Sequence, residues 1–176
     1  LTDPLLPLRT ARLAVLVLFI ILGSSTAARA AELSGRVTWI YDGDTIRVER
    51  LGKVRLLGID APELEASARD SYYLQRGLDR PALRRIAREA LNFNLHHLKG
   101  KQVILKPDHP RRDDYGRVLA CVYLPDGRMI NLMLIENGLA AVYRRYRFES
   151  KERFLQAEQQ ARREKRGLWR NAPPLP

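Results

Sequence analysis

The sequence predicts an α+β fold with a mostly β core: five short strands in a closed Greek-key barrel, with about three helices around it. Three features carry that expectation. Residues Gly35 to Asp60 alternate apolar and polar with a period of two, interrupted by turn signals. The stretch from Pro81 to Gly100 has helical periodicity instead. Two more apolar strands follow it, so the helix is inserted between the third and fourth strands. A five-stranded barrel of OB type, with extra helices on one side, fits that count.

The elements follow in order. RVTWIYD, DTIRVERLG and KVRLLGID read as three strands, with Asp42-Gly43 as a turn and Leu51-Gly52-Lys53 as a hairpin tip. Residues 64–80, LEASARDSYYLQRGLDR, lack a clear apolar face and read as an excursion, partly helical at most. The long helix then places Leu83, Ile86, Ala87, Ala90, Leu91, Leu95 and Leu98 at helical spacing. Asp79 suits its N-cap, Pro81 its first turn and Gly100 its end. KQVILKP is a strand, DHPRRDDYGR a charged loop and VLACVYL another strand. MINLMLIENG reads as a short helix stopped by Gly138, and Ala140 to Tyr143 as one more short strand. The last helix, SKERFLQAEQQARREKRG, has Ser150 at its N-cap and a narrow stripe built on Phe154, Leu155, Ala157, Glu158 and Ala161. The tail NAPPLP is expected to be disordered.

Residues 1–30 have another character. Arg9 and Arg12 precede an apolar run from Leu13 to Leu22, and small residues ending Ala28-Arg29-Ala30-Ala31 follow. That order is expected of a secretory signal peptide cleaved near Ala30, or of an uncleaved N-terminal membrane anchor. The domain is then expected to span residues 34–170, with 171–176 as the tail. Without residues 1–30, which hold Arg9, Arg12, Arg29 and Asp3, 31 basic and 20 acidic residues become 28 and 19, a net charge of +9. A small exported domain this basic attracts polyanions, nucleic acid foremost, though an acidic membrane surface or cell-wall polymer would suit the charge equally. The single Cys121 excludes an internal disulfide framework, and its apolar setting predicts a buried thiol.

The segment from Trp39 to Glu63, WIYDGDTIRVERLGKVRLLGIDAPE, gathers acids at the turns and ends of strands. A hard divalent cation takes carboxylate and carbonyl oxygens. Asp44 after a turn glycine and Asp60 at a strand end are candidate ligands. Pro62 biases Ala61 toward extended backbone, giving the Ala61 carbonyl a defined direction as a third oxygen. An Asx turn explains DGD equally well on its own. Arg55 lies inside the most apolar run, so it needs a carboxylate or a phosphate partner. Glu63 is close enough in sequence to share the site and accept a proton from water. Arg117, in DYGR at the start of a strand, offers a second guanidinium fork for phosphate. The histidines His96, His97 and His109 show no spacing suited to a metal.

Taken together, DGDT, VRLLGIDAPE, DYGR and AEQQARREKRGLW resemble the staphylococcal (thermonuclease-like) nuclease family, in order, from about Ser34 to Trp169. The resemblance implies the five-stranded OB-type barrel with three helices. It also implies a Ca²⁺-dependent phosphodiesterase that cuts DNA and RNA and leaves 3′-phosphate ends. Carried onto this chain, it makes Asp44, Asp60 and the Ala61 carbonyl the Ca²⁺ ligands and Glu63 the water-activating acid. Arg55 and Arg117 become the phosphate clamps, Tyr115 packs beside the nucleotide, and Tyr143 or Tyr146 forms another aromatic wall. Three departures stand out. Asp114 replaces a phosphate-contacting lysine, for which Arg111 or Arg112 would compensate. Ala61 replaces a threonine. The stretch from Glu63 to Asp113 is about ten residues longer than the staphylococcal pattern, so residues 64–80 would form a lid or specificity loop in which Tyr72 and Tyr73 either stack on bases or pack on the barrel.

The expectation is therefore an exported nuclease of low sequence specificity, a monomer with no obligate protein partner. The alternatives are a non-catalytic nucleic-acid-binding OB-type module and a surface-bound protein that holds an envelope polymer.

Overall fold

The computed structural model describes residues 33–171, within the unit of the chain that begins at Ala31. The signal-peptide or anchor expectation falls on residues outside this range, as does the tail beyond Asn171. Among the described residues, no helix is long and apolar enough to cross a membrane.

The strands β1 (Leu33–Ile40), β2 (Thr45–Val48), β3 (Gly52–Leu56), β5 (Gln102–Arg112) and β6 (Val118–Tyr123) form a closed barrel in the order β1-β2-β3-β6-β5. Strand β1 takes part in two pairings. Its first half, Leu33 to Arg36, pairs with β5, and its second half, from Val37, pairs with β2. A register irregularity between Val37 and Trp39 lets it turn from one partner to the other. The parallel pairing of β3 with β6, Arg55 opposite Leu119, closes the barrel. Inside lie Val37, Ile46, Val48, Val54, Leu56, Val103, Leu105, Ala120 and Val122, all fully buried. Each large aliphatic side chain among them contributes roughly 1.5–3 kcal/mol of burial free energy before entropy is counted.

Between β3 and β5 come β4 (Ile59–Asp60), α1 (Asp70–Leu74) and α2 (Arg80–Leu98); α3 (Ile130–Glu136), β7 (Ala141–Val142), α4 (Lys151–Arg163) and a 3-10 turn (Gly167–Trp169) complete the chain. Asp79 caps α2 as expected, accepting the Ala82 N–H at 2.7 Å. Cys121 is buried, and burial pushes its thiol up to about 12, so it stays protonated. The two-residue strands β4 and β7 pair with each other outside the barrel, Asp60 opposite Ala141. That ladder, with α1 beside it, fixes the loop after β3.

Four details differ from the sequence reading. Strand β5 runs on to Arg112, through the first half of the expected charged loop; its ladder with β6 is irregular between Pro107 and Arg112, where a proline is tolerated. Leu95 is 40% exposed. The inward position of that turn of α2 belongs to fully buried Asn94, which hydrogen-bonds the backbone under the site. Ser150 stands at the α4 N-cap without a capping hydrogen bond, because its ψ of 10° keeps it out of the extended conformation a cap requires. The alternation expected from Val54 to Ile59 stops at Leu56, and Gly58 turns the chain at φ +77°, where a Cβ would fall 2.5 Å from the Phe148 ring.

Buried Glu158 is the polar anchor of the α4 stripe. It accepts the Val142 N–H at 2.9 Å and pairs with Arg144 and Arg162, tying α4 to β7.

Candidate active site

The DGDT turn meets both readings of its acids. Asp42 Oδ1 accepts the N–H groups of Asp44 at 2.8 Å and Thr45 at 2.6 Å, which is an Asx turn. Burial pushes the Asp42 carboxyl above its usual range, opposed by Arg55 and the Thr45 hydrogen bond. The turn directs Asp44 inward, where it is only 2% exposed. Its Oδ2 accepts the Ala61 N–H at 2.9 Å, and its Oδ1 accepts the Thr45 hydroxyl at 3.0 Å and pairs with Arg55 Nη1. Asn94 holds the turn from α2, donating to the carbonyls of Asp42 and Gly43 at 3.1 and 3.0 Å. A Cβ on Gly43 would lie 2.6 Å from Ala61 Cβ and 2.7 Å from Ala90 Cβ. Gly43→Ala should therefore cost about 1–3 kcal/mol, read in thermal unfolding as a Tm lowered by several degrees; an unchanged Tm would show that the turn can back away from α2.

Arg55, on β3 opposite Thr45, is 9% exposed. Its Nη1 pairs with Asp44, and its Nη2 donates to Asp60 Oδ1 at 3.0 Å and to the Ile59 carbonyl at 3.4 Å. The structure thus realises the Arg55–carboxylate ion pair, with one guanidinium spanning two acids. Burial pushes the Arg55 pKa down, and Asp60 draws it back up. Asp60 is set by the β4–β7 ladder and by Tyr73, whose hydroxyl donates to Asp60 O at 2.8 Å and to Oδ2 at 3.1 Å. Tyr73 is fully buried; burial first, then the Asp60 charge, raises its pKa well above the ordinary value, so the donor stays protonated. Arg69 extends the network, its Nη1 donating to Asp60 Oδ1 at 3.3 Å and to Glu63 Oε1 at 3.2 Å.

Arg117 is held from its own loop. Asp113 Oδ1 accepts the N–H groups of Tyr115 and Arg117, and Oδ2 accepts Arg117 Nε at 2.7 Å. Burial raises the Asp113 pKa, but the Arg117 hydrogen bonds and charge outweigh it and leave the carboxyl below its usual range. Arg112 braces the same loop by donating to the Gly116 carbonyl at 2.6 Å, while Arg111 is exposed. Arg55, Arg69, Arg117, Tyr115, Tyr143 and Tyr146 line one cleft of about 130 Å³, with exposed Asp114 at its edge. Tyr115 is 82% exposed, and the Tyr143 and Tyr146 rings sit 5.5 Å apart on the other wall.

All nine sequence candidates therefore fall in one connected region. Asp44, Asp60, Ala61 and Glu63 do not line the cleft; the three acids are linked to it through Arg55 and Arg69, and Ala61 through its N–H on Asp44. Sequence reasoning did not single out Asn94, Asp113, Arg69 or the hold of Tyr73 on Asp60. Of these only Asp113 had a local signal, an acid four residues before the arginine in DDYGR. Among the described residues, no group of three or more His, Cys, Asp or Glu side chains is arranged to hold a metal ion. The side chain of His109 lies outside the described part.

The sequence profile of the staphylococcal nuclease homologue family matches residues 53–171. The chain belongs to that family. An Escherichia coli protein named an uncharacterized endonuclease is 36% identical over 165 residues, covering 92% of this chain and 91% of its own. The thermonuclease of Staphylococcus hyicus is 34% identical over 152 residues, covering 84% and 82%. That of Staphylococcus intermedius is 34% identical over 151 residues, covering 83% and 80%. In this staphylococcal nuclease homologue the profile begins at Lys53, after Asp44, whose place in the site rests on its bonds to Arg55 and Ala61.

Proposed function

We propose that the protein is an exported, Ca²⁺-dependent nuclease that hydrolyses phosphodiester bonds of DNA and RNA with low sequence specificity and leaves 3′-phosphate ends. The observation that carries the reading is the convergence of Arg55 and Arg117 on one cleft, with Asp44, Asp60 and Glu63 bonded to its arginines. Names of relatives support nuclease activity, and the pattern of residues 1–30 supports export. The +9 charge supports a nucleic-acid substrate.

The donors around Asp44 fit a hard cation. Asp44 and Asp60 share one guanidinium, the Ala61 N–H is on Asp44, and the Ala61 carbonyl accepts no hydrogen bond among the described residues. All are oxygens, as Ca²⁺ requires, and two carboxylates with a carbonyl leave room for water. Asp44, Asp60 and the Ala61 carbonyl would hold the ion, which when bound offsets the negative charge of the phosphodiester.

Glu63 would take a proton from the attacking water as its oxygen bonds to phosphorus. Arg55 and Arg117 would donate to the phosphoryl oxygens while charge builds on them. The bond from phosphorus to the 5′-oxygen breaks, that oxygen is protonated from solvent, and the phosphate remains on the 3′ side. Tyr73 and Asp113 hold Asp60 and Arg117 in place throughout.

Incubating the protein with single-stranded DNA and with RNA, in Ca²⁺ or in EDTA, tests the reading. Cleavage is expected in Ca²⁺ alone, with 3′-phosphate ends detected by phosphatase-dependent mobility. Cleavage in EDTA, or salt-sensitive binding without turnover under any divalent ion, would reject it, the latter in favour of a binding module.

A further inference from the structure

A second cavity, larger than the cleft, opens beside Asp60. It measures about 390 Å³, within the roughly 300–1,000 Å³ of ligand pockets. One wall is the 64–80 excursion, contributing Arg69, Tyr72 and Arg76; the other is β7 and the residues after it, including Tyr143 and Arg145. Arg69 and Tyr143 line both this cavity and the cleft that holds Arg55 and Arg117. We propose that this cavity is a subsite for the nucleotide adjacent to the scissile phosphate, so that the 64–80 excursion extends the strand-binding surface by one nucleotide. The occupant's identity rests on the nuclease reading above.

Chemistry favours that occupant. The cavity presents planar groups over an apolar floor of Ala141 and Val142. The Arg76 guanidinium lies over the Tyr72 ring, 3.6 Å from its centroid. Bases stack on such aromatic and guanidinium faces with little regard to sequence. Charge points the same way. Four arginines surround the cavity with one acid, Asp60, which already accepts from Arg55, Arg69 and Tyr73. Arg144 is committed to buried Glu158. Exposed Arg145 makes no hydrogen bond or ion pair among the described residues. Arg69 and Arg144 thus have acids of their own, Asp60 with Glu63 and Glu158, whereas Arg145 is left for a phosphate when substrate is present. The neighbouring tyrosine is placed differently. Tyr73 is fully buried against Asp60, so of the two excursion tyrosines only Tyr72 lines the cavity.

The test is a ladder of single-stranded oligothymidylates, from two to five nucleotides, extended at the 5′ or the 3′ end. Binding is measured by calorimetry in EDTA, and cleavage by kcat/KM in Ca²⁺. One added nucleotide at one end should raise affinity about tenfold, inside the range that base–aromatic stacking supplies. Tyr72→Ala and Arg145→Gln should each remove most of that gain, and an abasic added unit should lose the part that depends on Tyr72. Circular dichroism checks that the half-buried Tyr72 variant folds; Arg145→Gln, at an exposed position, is the independent second variant. An affinity that does not rise with length, or a rise that both variants retain in full, overturns the subsite. Length-dependent, variant-sensitive binding without any cleavage would reject the nuclease reading and leave the subsite standing.

Discussion

Glu63→Gln is expected to lower kcat on single-stranded DNA by about 10²–10⁴-fold while leaving Tm within about 2 °C of the parent. The two halves of that expectation come from different parts of the geometry. Glu63 is half-buried, and its one side-chain partner among the described residues, Arg69, is itself exposed. Ion pairs so exposed contribute little, typically 0–1 kcal/mol. The fold does not depend on this carboxylate. On the proposed function its role is to accept a proton from water, which an amide cannot do. Single-turnover cleavage rates and thermal unfolding on the same preparations decide the matter. A loss below about fivefold would remove Glu63 from the chemistry, and a Tm that fell in step with activity would make it structural. Glu63→Ala should match the amide variant, because the proton acceptor is lost in both.

Whether a feature of this fold was legible in the sequence depended on whether its signal was local. Strand alternation, the Asp79 cap and the turn at Asp42-Gly43 were legible because each is set by residues within a few positions. The five charged candidates were legible as a set, since four of them lie between Asp44 and Glu63 and Arg117 sits in a short loop motif. What escaped was the support around them. Asn94 reaches the DGDT turn from 51 residues away, and on sequence it is one polar residue in an amphipathic helix. Tyr73 and Arg69 lie in a polar segment without periodicity, and only the folded chain brings them onto Asp60. The end of β5 escaped for the opposite reason. Proline and a run of charge signal a loop, yet an irregular ladder accepts both.

Arg55→Lys is expected to cut kcat by about 10²–10³-fold, although the charge is kept. The Arg55 guanidinium bonds Asp44 through one terminal nitrogen and Asp60 through the other. A lysine ammonium is a compact point charge and cannot span both while presenting a planar face to phosphate. Arg55→Met separates this role from the structural one. Both carboxylates then lose a buried partner, at a cost of about 3–5 kcal/mol, with Asp44 the more severely affected because it is the more buried of the two. Adding Asp44→Asn to Arg55→Met removes the stranded charge and should restore part of the stability, but no activity. Cleavage per folded molecule of Arg55→Met distinguishes the alternatives that the sequence left open, while the double variant reports on stability alone, since Asp44 is itself a proposed Ca²⁺ ligand. An arginine that served only as an ion-pair partner would lose activity in proportion to folded protein. A clamp predicts that the folded fraction of Arg55→Met still fails to cleave, because the fork held by both acids is gone.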